Sequence, residues 1–573
     1  MSASSASIPS RPIIVLKLGG SVLAHEHDIA SAVHECYRWV REGWSVVAVV
    51  SAIGDTTDRL VAASEAYGHA PSPHAAAALI STGESVSASH LWLGCDRAGI
   101  DAVAVDPREI GLRVAGTACD ATPVGVDARV VRGFCAQHDV VIVPGFFGID
   151  DRGRIALLGR GGSDLTAVLV AEALGARCRL LKDVAGLYER DPARPGPFAR
   201  RYASITFADA DRLDGAILQR KALRHAARHD WPFEVAALHR DDATRVGAET
   251  TEFSIDDRAQ RLRVALLGFG VVGRGVWHHL SAARGGFEVV GVSVRSPKRH
   301  ADAIAPRLLA RDALALAAER SSDVVVETIG GIDVARSAVA GALARGADVV
   351  TANKALIAGH GLELAAIARD SGARLVYSAA VGGAAPILER ATQLRPSGVV
   401  RVEAVLNGTT NFMLSAQASG ASFDDALAEA QALGFAESDP TADIDGSDAA
   451  DKLRLVCRAA FGADPSRIKV SGLARGVEVS TGDRLVARAA WSGGDLVASV
   501  GVERLEPGHA LLDAHGVWNL ACFETADGAR AVVRGKGAGR FPTAESIFSD
   551  LLDMRRARSA VRGKAVSLVG GAS

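Results

Sequence analysis

A chain of 573 residues is too long for one hydrophobic core, and at about 100–200 residues per domain it predicts three or four structural units. Its 48% apolar and 23% charged residues fit a globular protein, and 64 Lys plus Arg against 66 Asp plus Glu exclude the basic excess of a nucleic-acid or anionic-membrane binder. The seven cysteines (36, 95, 119, 135, 178, 457 and 522) form no C-x-x-C pair and no Cys/His cluster with zinc-ligand spacing, which fits scattered thiols in a reducing compartment.

Residues 1–12 are small and polar without an apolar centre, so they read as a flexible tail rather than a secretory signal. No run of about 18 uncharged apolar residues predicts a membrane span, and the expected location is cytoplasmic. A buried strand, Ile13 to Lys17, then opens into Leu18-Gly19-Gly20-Ser21. Glycine amides beside the Lys17 ammonium make a phosphate cradle. Short apolar runs follow at Ser45 to Val50, Val140 to Val143 and Cys178 to Leu181, alternating with helical patterns such as Leu165 to Leu174. Residues 13–239 are therefore predicted as one α/β domain, and the polar, weakly periodic residues 240–260 as a linker.

A second strand, Arg263 to Leu267, runs into Gly268-Phe269-Gly270-Val271-Val272-Gly273 and then an apolar helical run. The first glycine permits a tight turn, the second lets the backbone approach a pyrophosphate, and the third allows close helix–strand packing. The next strand ends at Arg295, with Lys298 and Arg299 nearby, where an NAD site usually has an acid. A guanidinium suits a ribose 2′-phosphate, so NADP(H) is expected, with NAD(H) or a merely solvated basic loop as the alternatives. Further apolar runs at Asp323 to Glu327, Asp348 to Thr351 and Arg374 to Tyr377 complete a Rossmann pattern over 261–395. From 396 to 573 strand patterns such as Val400 to Leu406 mix with helices, predicting an α+β catalytic domain whose C-terminal segment returns to the Rossmann domain. Asp448 and Lys452 are four apart, so taken alone they could be a surface ion pair of a few tenths of a kcal/mol. Asp439, Asp443 and Asp445 could be read as a metal cluster, but their turn-rich setting suits local capping at least as well.

Several motifs in order make residues 262–555 resemble homoserine dehydrogenases. They are Thr351-Ala352-Asn353-Lys354, Ala380 to Pro386, Leu406-Asn407-Gly408-Thr409-Thr410-Asn411, Gly434 to Thr441 running on to Lys452, and Gly535 to Ala544. The resemblance implies reduction of L-aspartate 4-semialdehyde to L-homoserine. Lys452 would be the proton donor, Lys354 would orient the carbonyl beside the nicotinamide, and Glu437 and Asp448 would hold the amino-acid substrate. It also implies cofactor contacts from Gly268, Phe269, Gly270, Val271, Val272, Gly273, Arg295, Gly330, Lys354, Gly434 and Gly537. A Na+ site through the carbonyls of Val381, Gly383 and Ala385 is implied too, although Ser378 stands where the family usually has an acid.

The first domain is similar to amino-acid kinases, and most to aspartate kinases, through Lys17 to Ser21, Ser51 to Asp58, Ser81-Thr82-Gly83-Glu84, Leu158-Gly159-Arg160-Gly161-Gly162-Ser163-Asp164 and Lys182 to Tyr188. That likeness implies transfer of a phosphoryl group from ATP, with Mg2+, to L-aspartate. Lys17, Gly19, Gly20, Lys182, Asp183 and Tyr188 would form the ATP site, with Lys17, Arg160 and Asp183 catalytic. Ser51, Glu84 and Arg160 would hold the substrate, Arg160 gripping its carboxylate and Glu84 its ammonium. Several positions depart from aspartate kinases: one hydroxyl residue is missing after Gly20, Lys182 replaces a Thr, and Gln219-Arg220-Lys221 replaces His-Pro-Arg. Only the linker separates the two domains, so no regulatory ACT module and no feedback control through one is expected. The whole reads as a bifunctional aspartate kinase–homoserine dehydrogenase acting on small molecules, as a homodimer or larger. Two alternatives keep the dehydrogenase. In one the first domain is an inactive dimerisation or binding module; in the other it is a kinase for a different small acid.

Overall fold

The computed structural model describes residues 11–569 apart from 68–71, 193, 195–198, 214–216, 241, 255–260, 283–285, 382–384, 437–438 and 537–539. The chain divides into two units, one of residues 10–96 and 101–260, the other chiefly of residues 261–573. Among the described residues no helix is long and apolar enough to cross a membrane.

The first unit is built on a nine-stranded sheet. Six strands run parallel in the order Ala102–Ala104, Val140–Pro144, Ser45–Val50, Ile13–Leu18, Arg177–Lys182, Phe233–Ala237. Helices cover the sheet, so Ser45–Val50 is buried at every position. This is why the run carries no polar alternation. The core joins Val15, Val47, Val141 and Leu180 of the sheet to Val168 and Ala171 of the helix Gly162–Leu174. Each fully buried valine contributes about 1.5–3 kcal/mol of hydrophobic stabilisation. A smaller four-stranded sheet carries Arg113–Thr117, Asp120–Gly125, Phe147–Ile149 and Ile155–Leu157.

The segment read as a linker is different in the structure. Ala243–Val246 and Glu252–Phe253 are strands of the nine-stranded sheet, beside Tyr202–Ile205. Thr244 is fully buried and its hydroxyl accepts from the Leu187 amide at 2.9 Å. Arg201 donates to the Ala243 carbonyl at 2.8 Å. The strands are too short and too polar to show a period of two, and their pairing comes from the preceding strand Phe233–Ala237 and from Tyr202–Ile205, about forty to fifty residues back. Residues 255–260, the rest of that segment, lie outside the described residues.

The second unit opens with a parallel sheet ordered Leu309–Ala310, Phe287–Ser293, Leu262–Leu267, Val324–Glu327, Asp348–Thr351, Leu375–Val376. In chain order this is 3-2-1-4-5-6, and the reversal beside the first strand creates the crevice where dinucleotides bind. One face packs Leu267, Val325 and Val349 into a continuous core with Val402, Leu406, Leu453 and Leu485. These last come from a mainly antiparallel six-stranded sheet, ordered Ile468–Val470, Asp495–Arg504, Asp483–Ser492, Val399–Val405, Trp518–Thr525, Arg530–Lys536, from Leu406 just past its fourth strand in that order, and from its helix Ser447–Phe461. The other face is covered by the helix Val271–Ala282 and the C-terminal helix Arg540–Val569, whose Phe548 stacks on His279 with ring centroids 5.2 Å apart.

Candidate active sites

The glycine turn at Gly268 to Gly273 follows the first Rossmann strand, Leu262–Leu267, and leads into the helix Val271–Ala282. Gly268 has φ +100°, and a Cβ there would lie 2.7 Å from the Thr328 carbonyl. A Cβ on Gly273 would lie 2.3 Å from the Gly268 carbonyl, so alanine at either position would force the turn open. Gly270 faces no atom of the described residues within 4 Å of its absent Cβ, as close approach of a ligand to the backbone requires. Phe269 is buried against Trp277 and His300, leaving its backbone as the part that could meet a cofactor. Val271 is exposed and Val272 half-buried at the helix start. Arg295, Lys298 and Arg299 are exposed just beyond the second strand and form no side-chain ion pair among the described residues.

The fourth strand ends in a buried carboxylate that sequence reasoning missed. Glu327 is fully buried and accepts from the amides of Ile329 (2.8 Å) and Gly330 (3.2 Å) and from the Thr351 hydroxyl (2.5 Å). It thus ties the Gly330 loop to the strand that delivers Lys354. Asn353 caps the helix Lys354–Ser371 by accepting from the Leu356 amide at 3.1 Å, which sets Lys354 in the first turn.

Lys354, Asp448 and Lys452 come together. Lys354 ion-pairs with Asp448 Oδ1, and Lys452 Nζ lies 2.8 Å from Asp448 Oδ2. The side chains of Asp448 and Lys452 are only 10% and 12% exposed, which rules out the surface-pair reading. Lys452 also donates to the Leu406 carbonyl at 2.8 Å. Burial alone would raise the Asp448 pKa. The ammonium groups of Lys452 and Lys354 outweigh that and hold it well below the usual carboxylate range. Asn407 also escaped assignment from sequence. It caps the helix Gly408–Ala418 through the Thr410 amide and donates to Asp448 Oδ2 at 2.8 Å and Asp443 Oδ1 at 2.7 Å. Its place at a strand end before Gly-Thr-Thr was the available signal.

The remaining residues singled out from sequence divide. Asp439 and Asp445 accept from Thr441 and Ser447 in local turns, and Asp443 from Asn407. Gly434, at φ +73°, closes the helix Phe423–Ala432. Val381 is buried, and the Ala385 carbonyl accepts from Ile387 at 2.7 Å. Glu437, Gly383 and Gly537 lie outside the described residues.

The first unit holds a cavity of about 580 Å3 lined by Lys17, Gly19, Gly20, Ser51, Glu84, Arg160, Asp164, Lys182 and Asp183, among others. Tyr188, expected there, is half-buried outside the lining. Asp164 supplies what sequence reasoning left unassigned. Its Oδ1 lies 2.7 Å from Lys17 Nζ and its Oδ2 2.8 Å from Lys182 Nζ. Burial pushes the Lys17 pKa down, with Asp164 opposing. Burial also acts to raise Asp164, but the two lysines win and hold it low. Gly19 leaves room for the Lys17 ammonium, which a Cβ would meet at 2.5 Å. Glu84 accepts from the Ala52 amide at 3.3 Å through Oε1, while Oε2 is buried without a hydrogen-bond partner among the described residues. Burial pushes its pKa up to about 7, against the pull of that amide and of Lys17. Arg160 is exposed at the cavity rim.

A dinucleotide crevice next to a lysine–carboxylate–lysine cluster defines a nicotinamide-dependent oxidoreductase, preceded by a unit with a cavity lined by glycines and charged side chains. Comparison with known proteins specifies both. Residues 268–378 match the NAD-binding domain of homoserine dehydrogenase, residues 386–552 the homoserine dehydrogenase family, and residues 12–231 the amino acid kinase family. Homoserine dehydrogenase of Corynebacterium glutamicum is 37% identical over 321 residues, covering 51% of this chain and 72% of the relative. That of Synechocystis is 35% identical over 316 residues, covering 51% and 73%. A solved homoserine dehydrogenase from Thiobacillus denitrificans is 32% identical, covers 52% of this chain and 74% of that chain, and has a TM-score of 0.49. The chain belongs to the homoserine dehydrogenase family and carries an amino acid kinase domain ahead of it.

Proposed function

We propose that the second unit reduces L-aspartate 4-semialdehyde to L-homoserine with NADPH, and that the first is an ATP-dependent aspartate kinase. For the dehydrogenase the supporting observation is Asp448 held between Lys354 and Lys452 at the carboxyl edge of the Rossmann sheet. Bound NADPH supplies the hydride to the aldehyde carbon. Lys452, fixed by the Leu406 carbonyl and Asp448, keeps one N–H free to pass a proton to the developing alkoxide. Lys354 orients the carbonyl oxygen. Both Asp448 oxygens are already engaged by the lysines and Asn407, so its role is to position the two ammonium groups rather than to grip substrate. That leaves the substrate's polar groups to Glu437, by resemblance. The exposed Arg295, Lys298 and Arg299 suit a 2′-phosphate, which favours NADP(H).

For the kinase the supporting observation is the unpaired Glu84 oxygen sharing a cavity with Arg160, Lys17 and Lys182. Glu84 would take the substrate ammonium and Arg160 its α-carboxylate. The two lysines would face the phosphates, where positive charge carries most of the catalysis. Lys182, which departs from aspartate kinases, then gives a second cation held by the same carboxylate as Lys17. Trapping with hydroxylamine tests this reading. With ATP, Mg2+ and aspartate the purified protein forms aspartyl hydroxamate, and Lys17→Ala or Arg160→Ala lowers formation by about 100-fold or more while homoserine oxidation is unchanged. A wild-type protein forming no hydroxamate supports the binding-module reading instead.

A further inference from the structure

The kinase unit carries a second cluster of ligand-type side chains outside its cavity lining. His225 lies in the helix Arg220–Arg228, and His229 follows at its C-cap, one turn on. Glu172 comes from the helix Gly162–Leu174. The two imidazoles stack with centroids 4.5 Å apart and 18° between planes, and both point at one carboxylate. His225 Nε2 lies 2.7 Å from Glu172 Oε2, and His229 Nδ1 lies 2.7 Å from Glu172 Oε1. One atom from each residue falls within 4.8 Å of the others.

We propose that Glu172, His225 and His229 form a surface site for a borderline divalent transition metal of the Zn2+, Co2+ or Ni2+ type, which clamps the two helices together. Two imidazoles four residues apart on a helix present both nitrogens to one side, and a single carboxylate gives the nitrogen-plus-oxygen set such ions take. Mg2+ and Ca2+ want oxygen ligands throughout and do not fit. The hydrogen-bonded atoms are closer than ligands around a metal, which sit about 3.3 Å apart in a tetrahedron with bonds near 2.0 Å, so the imidazoles swing outward slightly as the ion enters. The ion replaces the protons now shared with Glu172, and water fills the outer positions, since His229 is exposed.

The consequence reaches the cavity. Gly162, Ser163 and Asp164 at one helix start, and Gln219 just before the other, line it. A metal bridge further along cross-braces the two helices that carry those residues.

The test titrates Zn2+ alone, and Co2+ alone, into the full-length protein, the His225→Ala/His229→Ala double variant and the milder His229→Ala. The expected result is one more equivalent bound by wild type than by the double variant. Affinity at that site weakens by more than about 10-fold in His229→Ala, and Co2+ gives visible absorption bands only with wild type. Zn2+ should raise the Tm of wild type and not of the variants. Equal stoichiometry and affinity in all three proteins overturn the proposal and leave a hydrogen-bonded Glu–His–His network. His229→Ala keeps the test valid should the double variant fail to fold, because its side chain is at the surface.

Discussion

Both units set one aspartate between two lysines, yet they do so in different surroundings. In the kinase unit the side chains of Lys17, Asp164 and Lys182 are 8%, 1% and 11% exposed. In the dehydrogenase unit Asp448 and Lys452 are similarly covered, but Lys354 is 26% exposed, and Asn407 adds a neutral donor. Two cations and one anion leave each triad with one cation in excess. A deeply buried pair facing a cavity suits a polyanionic nucleotide. A half-open pair, with one ammonium fixed by the Leu406 carbonyl, suits delivery of a single proton. The comparison teaches that the triad is a device for holding two ammonium groups in place, and that its surroundings decide what they do.

Replacing the shared anion should break the comparison most sharply. Asp448→Asn leaves two ammonium groups side by side in a covered site. At about 3–5 kcal/mol for a broken buried pair, homoserine kcat/KM should fall by up to roughly 150- to 5000-fold. Hydroxamate formation in the same preparation should be unaffected, and equal loss of both activities would mean global damage rather than a local triad. A smaller effect is expected at the cofactor. Arg295→Ala should raise the KM for NADPH by roughly 10- to 100-fold, the worth of a charge-assisted hydrogen bond, and leave that for NADH nearly unchanged. A wild-type preference for NADH would end the 2′-phosphate argument. The smallest effect concerns pH. Because burial pushes Glu84 up to about 7, it is protonated below that value and loses its grip on an ammonium. Kinase kcat/KM for aspartate should therefore fall about 10-fold per pH unit below 7, and Glu84→Gln should flatten that limb. The sign for stability is opposite: the folded state holds this proton more tightly than the unfolded one, so the group's contribution to stability is full below its ordinary value of 4.5 and is lost as the pH rises to about 7.

What sequence reveals here depends on how local the requirement is. Gly268, Gly270 and Gly273 are legible because turn, open space and helix packing are all demanded within six residues. Asp448 and Lys452 are legible as a pair one helical turn apart, but their partners Lys354 and Asn407 come from other elements and are joined to them only by resemblance or by the fold. Asp164 lay inside a recognised motif, yet its role depends on Lys17 and Lys182 from two adjacent strands far apart in the chain. Glu327 gave no signal, since one acid ending an apolar strand looks like the start of a loop. The short strands Ala243–Val246 and Glu252–Phe253 look like linker in sequence for the same reason: they are specified by their sheet neighbours, not by their own periodicity.

The central claim is that Lys452, fixed by Asp448 and the Leu406 carbonyl, hands over the proton. Lys452→Met tests it directly, with NADPH binding followed by fluorescence and semialdehyde reduction followed by turnover. The account predicts unchanged NADPH affinity and turnover lowered by about 100- to 10000-fold. Turnover near that of wild type would contradict it.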